Sequence, residues 1–161
     1  MGDLFSRLEI GQSECCHGHL NQYPVIYIDF SEIPENCVSY REYISRVLEG
    51  LKQDLSEAFP EIVTDKGISV WDILKQVFRK AGKKFVFVID EWDSIFHMSF
   101  ITEEDKKAYL LFLKSLLKDK AYVKFVYMTG VLPIAKYSSG SELNMFVEYD
   151  MTVMERFSDC F

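Results

Sequence analysis

The chain has 161 residues, 48% of them hydrophobic and 15% aromatic, with a formal net charge of -7 and a pI near 5.0. That is one domain of ordinary size with enough apolar material for a core, which excludes a disordered tail. The acidic balance argues against a nucleic-acid groove, no apolar run approaches the ~20 residues of a membrane span, and no hydrophobic leader follows Met1, so an intracellular protein is expected.

Residues 1–22 read as an irregular leading segment, with glycine, cysteine and histidine between short apolar pieces. Gly2 and Ser6 fit the short, permissive N-myristoylation pattern. Cys15-Cys16-His17-Gly18-His19 carries metal-binding residue types without the two-residue spacers of zinc sites, so loop residues are the favoured reading. The four cysteines (Cys15, Cys16, Cys37 and Cys160) form no regular framework, and reduced thiols are expected.

Tyr23-Pro24 leads into Val25-Ile26-Tyr27-Ile28-Asp29-Phe30, a β-branched, aromatic run that predicts a strand over 25–30. Ser39 and Glu42 have capping-box spacing. Tyr43, Ile44, Val47, Leu48, Leu51 and Leu55 then recur at helical steps up to Phe59-Pro60. A second helix is expected from Ser69, with Trp71, Leu74, Val77 and Phe78 inward and Gly82 closing it.

Phe85 to Ile89 is an unbroken apolar run between Lys83-Lys84 and Asp90-Glu91. It predicts a strand over 84–90, buried on both faces as in a parallel sheet. Thr102 and Asp105 open a third helix carrying Leu110, Leu113, Leu116 and Leu117. A third strand is expected over 122–129, ending at Thr129-Gly130, and a short helix around Leu143 to Phe146. This order predicts an α/β fold with a mostly parallel three-stranded sheet.

Asp29, Asp90-Glu91 and Thr129 then fall at the carboxyl ends of the strands, where open α/β sheets bind ligands. Asp90 is the candidate for holding Mg²⁺ through water, and Glu91 for positioning an attacking water. The competing reading of such a pair is a solvated strand end. Thr129 is either a polar sensor near a terminal phosphate or the cap of the turn at Gly130. Asp29 carries the same ambiguity. Trp92 reads as a packing residue, and Asp93 as the start of the next loop. No G-x-x-x-x-G-K-[S/T] phosphate cradle occurs, and Gly82-Lys83-Lys84 sits after a helix and before a strand, in the wrong order.

LFSRLEI, HLNQYPVIYIDF, FVFVIDEWD and YMTGVLPIAKYSSGSELNMFVEYDMT together resemble the AAA-ATPase-like domain family of P-loop NTPases, from about Leu4 to about Thr152. The resemblance implies a three-layer α/β/α architecture and a Walker B element at Asp90, Glu91 and Asp93. It also implies a sensor position at Thr129-Gly130, and ATP with Mg²⁺ as cofactors of the complete domain. The resemblance begins in the family's middle, so residues 1–161 are expected to be one partial domain lacking the Walker A strand, with 131–161 as a post-sensor segment. The third strand is then expected to have an open edge, available for self-association or a protein partner. Two other functions compete with a partial ATPase. One is a non-enzymatic interaction module on a degenerate ATPase fold. The other, less favoured, is a metal-dependent nuclease using Asp29, Asp90 and Glu91, although the E-x-K strand of PD-(D/E)XK nucleases is missing.

Overall fold

The computed structural model describes residues 7–12, 14–63, 67–134 and 143–149. Its elements follow in the order 3₁₀ turn Glu9–Gln12, α1 Glu14–His19, β1 Val25–Asp29, α2 Tyr40–Ala58, α3 Val70–Ala81, β2 Phe85–Asp90, 3₁₀ turn Ser94–His97, α4 Glu103–Leu117 and β3 Val123–Met128. The strands form one parallel sheet in the order β1-β2-β3. The expected α/β fold with a three-stranded parallel sheet is therefore present.

The helix starts follow their side-chain chemistry. Thr102 and Asp105 form a complete capping box: Asp105 N donates to Thr102 Oγ1 at 3.2 Å, and Thr102 N donates to Asp105 Oδ2 at 2.9 Å. Ser69 Oγ accepts from Asp72 N at 3.2 Å, and Ser39 Oγ accepts from Glu42 N at 3.3 Å. Glu42 reaches back one residue further than a capping box requires, to Val38 N at 3.3 Å. Gly82 closes α3 with φ +63°, a left-handed cap in which a Cβ is disfavoured.

One face of the sheet carries the core. Ile26, Ile28, Phe85, Phe87 and Ile89 are buried in one cluster with Tyr43 and Leu55 of α2, Ile73, Leu74 and Val77 of α3, and Tyr109, Leu113 and Leu116 of α4. Phe30, fully buried past the end of β1, meets Tyr43 and Tyr109 at ring-centroid distances of 6.4 and 5.2 Å. Trp71 and Phe112 join α3 to α4 edge to face at 6.1 Å.

Among the described residues the opposite face is open. Val25 and Tyr27 of β1 and Phe125 and Tyr127 of β3 are 56 to 62% exposed. They stand in register with Val86 and Val88. The expectation that β2 is buried on both faces is thus corrected: Phe85, Phe87 and Ile89 are buried, while Val86, Val88 and Asp90 are only half-buried. An unbroken apolar run satisfies a strand with one covered face as readily as one with two, because the side-chain period is two. Among the described residues the long helices supply one layer on the sheet.

Two further expectations change. The leading segment is not wholly irregular, since it contains a 3₁₀ turn and α1. Both are too short to display a hydrophobic period in sequence. Leu143 to Phe146 form a turn, not a helix, with Phe146 N donating to Leu143 O at 3.3 Å and Leu143 buried as its anchor. The side chains of Cys15, Cys16 and His17 lie outside the described residues, as do Gly2, Ser6 and Cys160. Among the described residues no helix is long and apolar enough to cross a membrane.

β3 pairs only with β2 among the described residues, which leaves its other edge open. Its register slips near the start: Phe85 faces Val123, whereas Val86 faces Phe125, so Lys124 is an extra residue.

Candidate functional site

The parallel register dictates where the polar strand ends meet. Asp29 and Asp90 are direct partners on β1 and β2, and both continue the open face, because they keep the parity of Val25 and Tyr27 and of Val86 and Val88. The β2–β3 ladder runs past its last paired residues: Thr129 N donates to Ile89 O at 2.9 Å, and Trp92 N donates to Thr129 O at 3.0 Å. Thr129 is thereby held beside Asp90.

Asp90 collects three hydrogen bonds. The Thr129 hydroxyl and the Glu91 backbone N–H (3.1 Å) both donate to Oδ1, and the Tyr27 hydroxyl donates to Oδ2 at 3.2 Å. Bonds to the charged form favour ionisation. The Thr129 hydroxyl is the strongest influence holding this carboxyl below its ordinary range; partial desolvation opposes it, and Tyr27 and the Glu91 N–H assist. The same contact raises the Tyr27 phenol, where desolvation leads and the Asp90 bond follows. Asp29 is turned towards its own loop, its Oδ1 accepting from Ser31 N at 2.8 Å.

Glu91 sits immediately beyond β2 with φ +51°. That left-handed conformation is uncommon for a residue with a Cβ and collects at functional sites. It turns the chain sharply, so that Ser94 N donates to Glu91 O at 2.9 Å and the 3₁₀ turn begins. Trp92, 2% exposed, is a packing residue as expected, edge to face with Phe96 at 5.4 Å. Its carbonyl accepts from the buried Tyr109 hydroxyl at 2.7 Å.

Asp93 lies in the turn beyond β2, as the sequence reading places it, but it is not a solvated residue. It is 1% exposed, and its Oδ1 and Oδ2 accept from Val131 N at 3.2 Å and Leu132 N at 2.8 Å. Between those strand ends the backbone at Gly130 passes so close that a Cβ there would lie 2.4 Å from both Asp93 Oδ1 and Trp92 Cδ1. Tyr27 was not identified as a site residue from the sequence, whereas Asp93 and Gly130 entered that reading only through the family resemblance, as part of the Walker B and sensor segments. The glycine following Thr129 is the only sequence signal of that close approach.

Of the four sequence candidates, the structure joins Asp90 and Thr129 by a hydrogen bond, places Glu91 next to them through its backbone, and sets Asp29 alongside on the neighbouring strand. A groove of about 520 Å³ lined by Leu111, Lys114, Ser115, Lys118, Asp119 and Lys120 lies by the start of β3, at the opposite end of the sheet.

A divalent cation is the group to test against this donor set. An ionised carboxylate has about four lone-pair positions. Three are engaged at Asp90, which leaves room on Oδ2 for one water. Mg²⁺ commonly keeps several waters and takes its remaining ligands from one or two carboxylates and substrate phosphates. Asp90 therefore fits a water-mediated contact to a phosphate-bound Mg²⁺. Among the described residues no cluster of three or more His, Cys, Asp or Glu forms a metal cage.

The sequence matches the family described as Predicted AAA-ATPase, AAA-ATPase-like, over residues 1–139, a span that includes Asp29, Asp90, Glu91 and Thr129. No curated protein and no solved structure matches the chain. With most of its length matched, the chain belongs to the AAA-ATPase-like family.

Proposed function

We propose that these residues are the metal-and-water half of an ATP site, with Asp90 and Glu91 as Walker B and Thr129 as the sensor. The observation that supports this most is the Asp90–Thr129 hydrogen bond between adjacent parallel strand ends, next to a glutamate held at φ +51°. Bound Mg²⁺ supplies charge neutralisation on the phosphate oxygens. Asp90, ionised, would accept a hydrogen bond from a water of that metal. Thr129 fixes Asp90 and, just past the end of the neighbouring strand, would sense the terminal phosphate. Glu91 accepts the proton of the water whose oxygen attacks the γ-phosphorus as the bond to the ADP oxygen breaks. Asp29 lines the same edge and adds negative charge that favours a cation.

The grip on the triphosphate is the part we assign to residues other than these 161, since no glycine-rich cradle occurs within them. On this reading the chain alone binds Mg²⁺-ATP more weakly than about 1 mM, or less than about 4 kcal/mol of binding free energy. Two measurements test the halves separately. Mn²⁺ added to ¹⁵N-labelled protein is expected to broaden the amide signals of Asp90, Glu91 and Thr129 first, and Asp90→Asn to abolish that selectivity; uniform broadening, or selectivity that survives the substitution, rejects the metal assignment. Calorimetry with Mg²⁺-ATP then checks the missing grip, and micromolar affinity rejects it.

A further inference from the structure

We infer that Asp93 is a positioning residue, a buried clasp that holds the end of β3 in place so that the Thr129 hydroxyl reaches Asp90. The inference rests on the reading of Asp90 and Thr129 as the functional pair only for its consequence in catalysis; the contact itself is independent of nucleotide.

Asp93 is the one carboxylate that the described residues bury, at 1% exposure. Burial of a charge is expensive unless hydrogen bonds replace the lost water. Here the replacements are two successive backbone N–H groups of one departing segment, Val131 and Leu132, each donating to a different carboxylate oxygen. Charge-assisted bonds of this kind are roughly twice as strong as neutral ones. A carboxylate suits the task because both of its oxygens accept, whereas an amide of the same shape would turn one N–H donor against another.

The geometry of the clasp depends on Gly130. With no Cβ, the chain at 130 lies directly on Asp93 Oδ1 and the Trp92 indole, where a Cβ would come within 2.4 to 2.6 Å. Thr129 is thus fixed from two sides. Its own N–H and carbonyl are tied to Ile89 and to Trp92 N, and the residues just after it are tied to Asp93. Asp90 ends β2 and Asp93 lies in the turn that follows it, so one short segment carries both the acceptor of the Thr129 hydroxyl and the clasp. The Tyr109 hydroxyl in turn anchors that loop to α4 through Trp92 O. Strand ends with few tertiary ties fray at low cost, and β3 is an edge strand among the described residues.

The test reads Thr129 directly. Three-bond couplings to its methyl carbon are expected to show a single χ1 rotamer in the unaltered chain and rotamer averaging in Asp93→Asn, while Thr102, which caps α4, keeps its single rotamer in both. A folded Asp93→Asn protein in which Thr129 remains locked overturns the inference, since a purely stabilising role would leave that rotamer alone. If Asp93→Asn does not fold, hydrogen exchange of the unaltered chain decides. The Val131 and Leu132 amides are expected to be protected to within about tenfold of Thr129, as one cooperative unit. Exchange at both more than about a hundredfold faster than at Thr129 overturns the inference as well. Because neither readout uses metal or nucleotide, a failed clasp and a failed ATP-site assignment are separately visible.

Discussion

The Thr129 hydroxyl donates to the Asp90 carboxylate across the β2–β3 pair, and that single bond joins two residues 39 positions apart in the chain. Thr129→Val keeps the shape and removes the donor. The expected result is a rise of the Asp90 carboxyl midpoint towards its ordinary value, followed by carboxyl-carbon NMR across an acid titration. Tyr27→Phe should move it in the same direction by less, since the Tyr27 bond is the weaker influence.

Acid sensitivity should also come from the helix caps. The Asp105 carboxyl is lowered by its bonds from the Thr102 N–H and hydroxyl, and that of Asp72 first by Ser69 and then by Lys75. Each group has a folded pKa below its unfolded one. Its contribution is therefore present above the unfolded value near 4 and is lost as pH falls through the folded value. Denaturation midpoints measured from pH 6 down to pH 2 should fall less in Asp105→Asn than in the unaltered chain. Thr102→Ala should cost about 1 kcal/mol at neutral pH, the usual value of a lost N-cap.

Glu91 offers a way to separate strain from chemistry. A left-handed residue with a Cβ costs on the order of 1–2 kcal/mol, while glycine loses roughly 0.5–1 kcal/mol through its freer unfolded chain. Urea denaturation should therefore rank Glu91→Gly equal to or slightly more stable than the unaltered chain, and Glu91→Val clearly less stable. On the proposed reading, Glu91→Gly removes the proton acceptor with no loss of fold.

Gly130→Ala should be among the most damaging small substitutions in the chain. Its methyl group would overlap Asp93 and Trp92, which are both buried, and overpacking of this sort typically costs about 1–3 kcal/mol. Tyr109→Phe, which strips the buried hydroxyl from Trp92 O, should cost about 1–2 kcal/mol by the same assay.

The sheet and its helices were legible because their signals are local. Ser69 and Gly82 mark the ends of α3, and Thr102 with Asp105 marks the start of α4; each is a side-chain or backbone preference acting over four residues. Asp90, Glu91, Asp29 and Thr129 became candidates because apolar runs that stop on polar residues align those residues once the strands are parallel. What sequence withheld is set by register and burial. Tyr27 reads as an ordinary strand residue until β1 is placed beside β2. Asp93 reads as loop because its partners, Val131 and Leu132, are nearly forty residues away and contribute only backbone. The open face of β2 was hidden for a related reason: Val86 and Val88 are as apolar as Phe85 and Phe87, and only the position of the helices tells the two faces apart.

The slip at Lys124 governs how the edge of β3 left unpaired among the described residues can be used. A strand laid along that edge meets an interrupted ladder at Lys124 and even spacing only from Phe125 onward. The usable stretch is short, and it ends at Thr129. A chain that extended the sheet on this side would run from Phe125 towards the strand ends where Thr129 meets Asp90.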